Sequence, residues 1–121
     1  MSAEGGADRY REYIIAEALS ANLPDGVYRI VFHNSQHRRP DEAHLRIDPL
    51  TVFNRERPEV VQDWIVRVGK LLNTNGRVGD AVVRRLPDRP GIEAQYRKDN
   101  PGFSERTYSH AIHLGASMAV F

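Results

Sequence analysis

The sequence predicts an α+β domain: an antiparallel sheet of about five strands with two helices packed on one face. Three observations carry that prediction. Apolar residues alternate with polar ones over Val27–His33 and Ala43–Ile47, the period-two pattern of half-buried strands. One long apolar stripe at helical spacing covers Val60–Leu72. Pro-, Gly- and Asn-rich turns punctuate the rest of the chain.

Taken in order, residues 1–7 read as a flexible polar lead. Asp8 then caps a helix over Asp8–Asn22, whose stripe is Tyr10, Tyr13, Ile14, Ala18 and Ala21, widened by Leu19. Pro24-Asp25-Gly26 stops it. In the strand Val27–His33, Tyr28, Ile30 and Phe32 share one face and Arg29, Val31 and His33 the other. A loop over residues 34–42 leads to a second strand, Ala43–Ile47, broken by Asp48-Pro49. Leu50–Phe53 reads as a short extended piece.

The second helix starts at Pro58, which fits a first turn, where its missing N–H costs nothing. Glu59 there favours the positive end of the helix dipole. Val60, Val61, Trp64, Ile65, Val68, Leu71 and Leu72 form its apolar face, with Trp64 expected at the centre of the core. Beyond Gly76, Ala81–Leu86 and Ile92–Arg97 read as strands around a Pro87–Gly91 turn, a short helix over 81–86 being the alternative. Phe103–Phe121 reads as one or two more strands, with a helix over Ser109–Ala119 as the alternative. Met118, Val120 and Phe121 are placed in an edge or core strand, a site where two copies could pair as a homodimer.

Composition bounds the function. The chain has 121 residues, 40% hydrophobic and 27% charged, which suits a single globular domain spanning 1–121 and not a disordered segment. It contains no cysteine, so disulfides, thiolate nucleophiles and cysteine zinc sites are excluded. No apolar run approaches the ~20 residues of a membrane span. Met1–Ala7 lacks the pattern of a signal peptide, so the expected location is the cytoplasm, with no membrane partner. Net charge is +1, too small to mark a dedicated nucleic-acid binder. Positive charge is nearly all arginine, Lys70 and Lys98 being the only lysines. That arginine-rich usage fits a bacterial or phage-like protein from a GC-rich genome.

The residues with chemical potential gather on the predicted first hairpin. Pairing of the two strands puts His33 and His44 near its mouth, on the face that carries Arg29 and Arg46, and the loop adds His37, Arg38 and Arg39. Imidazoles titrate near neutrality and guanidiniums clamp phosphate, so the set has the parts of a phosphodiester-cleaving site. A water-facing sheet surface accounts for the same residues without chemistry. The C-terminal Glu105, Arg106, Tyr108, His110 and His113 are residue types that small ribonucleases use, but they form no motif. No histidine spacing matches a zinc signature, and Walker, dinucleotide and nucleophile-elbow motifs are missing. No cofactor is expected.

The expected function is therefore a small non-enzymatic binding module, an adaptor, subunit or inhibitor that contacts another macromolecule, most naturally a protein. Five tyrosines suit such an interface: Tyr10, Tyr13, Tyr28, Tyr96 and Tyr108. One alternative is a ribonuclease with His33, His44, His110 and Arg46 as catalytic candidates. The other is non-catalytic nucleic-acid binding. Candidate binding residues are Arg29, His37, Arg38, Arg39, Arg84, Arg85 and Arg89, with Arg97 and Lys98 beside them.

Overall fold

The computed structural model describes residues 3–119 and is all-α. The α+β expectation is overturned, because no strand or sheet occurs among the described residues. The helices are α1 (Ala3–Ser20), α2 (Leu23–Ser35), a 3-10 helix (Pro40–Leu45), α3 (Pro49–Val52), α4 (Pro58–Asn73), α5 (Gly76–Arg84), α6 (Arg89–Asp99) and α7 (Glu105–Ala119). They form two compact units, Met1–Val66 and Arg67–Phe121, with the boundary inside α4.

The first correction falls at residues 22–26. Asn22 accepts a hydrogen bond from the Asp25 backbone N–H at 3.0 Å, and Pro24 sits in the first turn. The segment expected to stop α1 therefore starts α2. Val27–His33, expected as a strand, is the body of α2. Its buried residues are Gly26, Val27, Tyr28, Ile30 and His33, which recur at helical and not alternating spacing. The second expected strand, Ala43–Ile47, is a 3-10 turn opened by Pro40 and an extended exit, from which Ile47 points inward at 2% exposure. Leu50–Phe53 falls largely in α3, where Asp48 Oδ1 accepts from the Leu50 N–H at 3.0 Å.

In the first unit Ile14 and Ala18 of α1 and Val27 and Ile30 of α2 are fully buried. Each large aliphatic side chain removed from water contributes about 1.5–3 kcal/mol. The first helix was correctly expected, but it begins at Ala3, so Asp8 lies inside it and is not its N-cap. Helix α4 matches the expected span. Its fully buried residues are Val61, Val68 and Leu71, whereas Trp64, expected at the core's centre, is half-buried.

In the second unit the expected strands are α5, α6 and α7; the helical alternative for 109–119 holds, and that for 81–86 holds as far as Arg84, where α5 ends. Pro90 lies in the first turn of α6, so the Pro87–Gly91 segment begins a helix and does not turn a hairpin. Along α7 the buried residues are Thr107, Tyr108, Ala111, Ile112 and Gly115, a helical stripe in place of the expected alternation. Helices α5 and α7 cross at Gly79 and Gly115. A Cβ on Gly79 would stand 2.1 Å from the Gly115 carbonyl carbon, and one on Gly115 would stand 2.3 Å from the Asn75 carbonyl oxygen. Only glycine allows backbones so close. The buried Asn75 amide donates to the Ala111 carbonyl at 2.8 Å across the same crossing. Tyr96 OH donates to Leu71 O at 2.5 Å, and Tyr108 OH to Asn100 O at 2.6 Å, so both buried tyrosines satisfy their hydroxyls on backbone. Met118 is exposed, while the expectations for Val120 and Phe121 lie outside the described residues.

Candidate functional site

The histidines and arginines singled out in the sequence divide into a group that converges and a group that does not. The convergent group lies in the first unit, where the end of α2 meets the 3-10 helix. His33 lies in the last turn of α2 and His37 two residues beyond its end, with ring centroids separated by 4.6 Å. His33 is 3% exposed, and its Nε2 lies 2.8 Å from the Leu45 carbonyl oxygen. A carbonyl only accepts, so Nε2 carries the proton in this contact. Burial pushes the His33 pKa below the ordinary histidine value, because the charged ring would lose its hydration. His37 Nδ1 meets Glu42 Oε2 at 3.0 Å, and this hydrogen bond holds the Glu42 carboxyl below the usual carboxylate range.

Backbone anchors surround the pair. Arg46 Nη1 donates to His37 O at 2.8 Å and to Arg39 O at 3.3 Å. The Asn34 amide grips Ile47 from both sides, Nδ2 donating to Ile47 O at 2.7 Å and Oδ1 accepting from Ile47 N at 2.8 Å. His33, Asn34 and Arg46 thus tie residues 37–47 back onto α2. Arg29 is one turn earlier on α2, and its Nε donates to Glu17 Oε1 of α1 at 2.6 Å.

The ring system continues onto α1. Tyr10 stands 5.8 Å from His33, and Tyr13 stacks on Tyr10 at 6.5 Å and 25°. Four rings therefore run in sequence from Tyr13 through Tyr10 and His33 to His37. The two imidazoles are held by protein contacts, while Tyr10 and Tyr13 are 52% and 59% exposed. Tyr13 is hydrogen-bonded to Glu17, which raises the pKa of its phenol.

The other candidates sit elsewhere. His44 is exposed on the 3-10 helix, Arg38 is exposed in the loop before it, and Arg39 pairs with Asp41 at 3.0 Å. His110 is exposed on α7 of the second unit. Arg84 pairs with Asp80 at 2.9 Å and Arg89 with Glu93 at 3.4 Å. Arg85 ends α5 in the left-handed conformation at φ 52°. Arg97 grips Glu105 at 3.0 Å and lies over the Tyr108 ring. Among the described residues no three His, Cys, Asp or Glu gather as a metal site, and no helix is long and apolar enough to cross a membrane.

Sequence reasoning missed Asn34, Glu17 and Glu42 as partners of these groups. Only Glu42, five residues after His37, lay close enough in sequence to be found. Compared with known protein families, curated proteins and solved structures, the chain matches none.

Proposed function

We propose that this chain is a non-enzymatic binding module that contacts another protein through the α1 surface bearing Tyr10 and Tyr13. The observation that carries this reading is the exposed, stacked pair of tyrosines on a braced helix. Tyrosine is enriched among the residues that dominate protein interfaces. Rings already ordered by stacking, by His33 behind Tyr10 and by Glu17 beside Tyr13 lose little entropy on binding. The partner this favours presents an apolar depression rimmed by hydrogen-bond acceptors for the phenol groups.

The competing readings draw less support. A ribonuclease needs imidazoles and cations gathered round a substrate, and in the one place where they converge His33 and His37 are committed to Leu45 O and Glu42, while His44 is exposed outside that cluster. A phosphate-binding surface draws on free cations, and three of the five basic candidates between Arg84 and Lys98, namely Arg84, Arg89 and Arg97, are each paired with a carboxylate.

A photo-crosslinking side chain placed at Tyr13, in cells that express the chain, tests the reading. One protein should be captured, and the purified pair should lose about 2 kcal/mol, roughly thirtyfold in affinity, on replacing both tyrosines by serine. Capture of nucleic acid alone, or unchanged affinity of the double variant for the captured protein, would sink it.

A further inference from the structure

The histidine pair at the end of α2 has a chemistry that protein binding does not use. In sequence the two stand as His-x3-His, an interval that brings side chains together only on a helix. The chain stays helical just far enough. Gln36, which closes α2, keeps the right-handed conformation. Its N–H bonds to His33 O at 3.1 Å, and that of His37 to Asn34 O at 3.0 Å. The two rings therefore lie side by side, with their planes tilted by 49°.

Each ring has one nitrogen occupied and one free. His33 Nε2 donates to Leu45 O, so Nδ1 carries a lone pair. His37 Nδ1 donates to Glu42 Oε2, so Nε2 carries one. Neither free nitrogen has a hydrogen-bond partner among the described residues. A backbone carbonyl and a carboxylate are the partners that hold metal-binding imidazoles in place, fixing the tautomer and raising the basicity of the other nitrogen. The support is braced as well. Arg46 holds the His37 carbonyl at 2.8 Å, and the side chain of Asn34, next to His33, clamps Ile47.

The spacing discriminates between ions. An ion bound to an imidazole nitrogen at about 2.0 Å lies about 3.2 Å from the ring centroid. Two such rings have centroids about 5.2 Å apart at a tetrahedral angle and about 4.5 Å apart at a right angle. The 4.6 Å found here is the right-angle value. Adjacent positions of a tetragonal ion make that angle, and Cu(II), which takes that geometry, also heads the affinity order of divalent ions for nitrogen ligands.

The charges nearby set how tightly such an ion is held. Arg29 is neutralised by Glu17, and Glu42 stands against His37 with Arg39 4.0 Å away. Arg46 is engaged by backbone carbonyls. Arg11, near enough to His33 to disfavour its protonation, is opposed by no acid, and its buried Nε has no partner among the described residues. One uncompensated arginine weakens a divalent site, which makes this one exchangeable. The ion enters from the His37 side, where 22% of the side chain is exposed.

We infer that His33 Nδ1 and His37 Nε2 chelate one Cu(II) ion in adjacent tetragonal positions, with water in the others. Glu42 is a positioning residue for His37.

The test is Cu(II) alone, added to the full chain at neutral pH. Below one equivalent, the ring NMR signals of His33 and His37 should broaden together, before those of His44, His110 and His113. Electron paramagnetic resonance should show a tetragonal ion coupled to two nitrogens. His37→Ala removes the chelate and should weaken binding at least about tenfold. Glu42→Ala should do the same, whereas Glu42→Gln, which still accepts the Nδ1–H, should stay within about threefold of wild type. Thermal unfolding of the metal-free variants shows that they are folded; were His37→Ala to fail, the wild-type spectrum and the two Glu42 variants still decide. The proposal is overturned if His44, His110 or His113 broadens first, or if fewer than two nitrogens couple to the copper. It is equally overturned if a folded alanine variant binds as wild type does. No protein partner is added, so the outcome is independent of the Tyr10 and Tyr13 surface.

Discussion

Replacing Gly79 by alanine tests the helix crossing on which the second unit rests. The new Cβ would stand 2.1 Å from Gly115 C, 2.4 Å from Ala116 N and 2.5 Å from Gly115 O. Ordinary contact begins at 3.4 Å, so α5 and α7 must separate by about 1.3 Å. The obstacle is backbone, which no rotamer change relieves, so the cost belongs at the upper end of overpacking, about 3 kcal/mol. Alanine's better helix propensity returns about 1 kcal/mol. The net loss is about 2 kcal/mol, or roughly 8–10 °C in Tm for a chain of this size. Gly69 is the control, because a Cβ there meets nothing within 4 Å and the residue lies inside α4. Gly69→Ala should raise Tm by about 4 °C from propensity alone. Thermal unfolding followed by far-UV circular dichroism reads both. The argument is refuted if Gly79→Ala melts with wild type, or if Gly69→Ala loses as much.

Three further outcomes follow from the hydrogen bonds. Asn34→Ala strands the N–H of Ile47, which is 2% exposed, and should cost about 2 kcal/mol in urea unfolding and speed hydrogen exchange at Ile47; unchanged exchange there would show that the grip is not needed. His33 has its pKa lowered by burial, so the unfolded chain takes up its proton first, and stability present above about pH 6.5 falls below it. The urea midpoint should drop between about pH 7.5 and 5.5, and His33→Gln should flatten that drop; an equal drop in the variant would assign it to another group. Tyr96→Phe and Tyr108→Phe each remove a hydroxyl bond to a backbone carbonyl and should each cost about 1–1.5 kcal/mol. Because Asn100 bonds to both neighbourhoods, the double variant should deviate from additivity by more than about 0.5 kcal/mol, and strict additivity would uncouple them.

Legibility of the candidate site followed that of the fold. His33, His37 and Arg46 do meet, as the sequence suggested, but through α2 and a 3-10 turn. A hairpin would have turned His33 and His44 to one solvent face, whereas the helix buries His33 and leaves His44 exposed. A groove of about 570 Å³ along α6 is invisible to a strand reading of Ile92–Arg97, since α4, α5 and α6 all contribute to its lining.

The sequence by itself determined that the chain folds without cysteine, that α1 and α4 are helices, and that Pro58 opens the second of these. Long stripes at helical spacing admit no other regular structure. It also held the start of α2, in Asn22 and Pro24, and the start of α6, in Pro90. Only the tertiary structure decided that the runs at 27–33, 81–84, 92–97 and 105–119 are helical. Over five or six residues, periods of 2 and 3.6 mark nearly the same positions as apolar. What separates them is the surface each run must cover. Gly26, Gly79 and Gly115 supply it by letting neighbouring backbones and the Phe53 ring approach too closely for any side chain. Helix-on-helix contact of that kind buries the apolar residues of α2, α5 and α7 along stripes, and the alternating faces on which a sheet was predicted disappear.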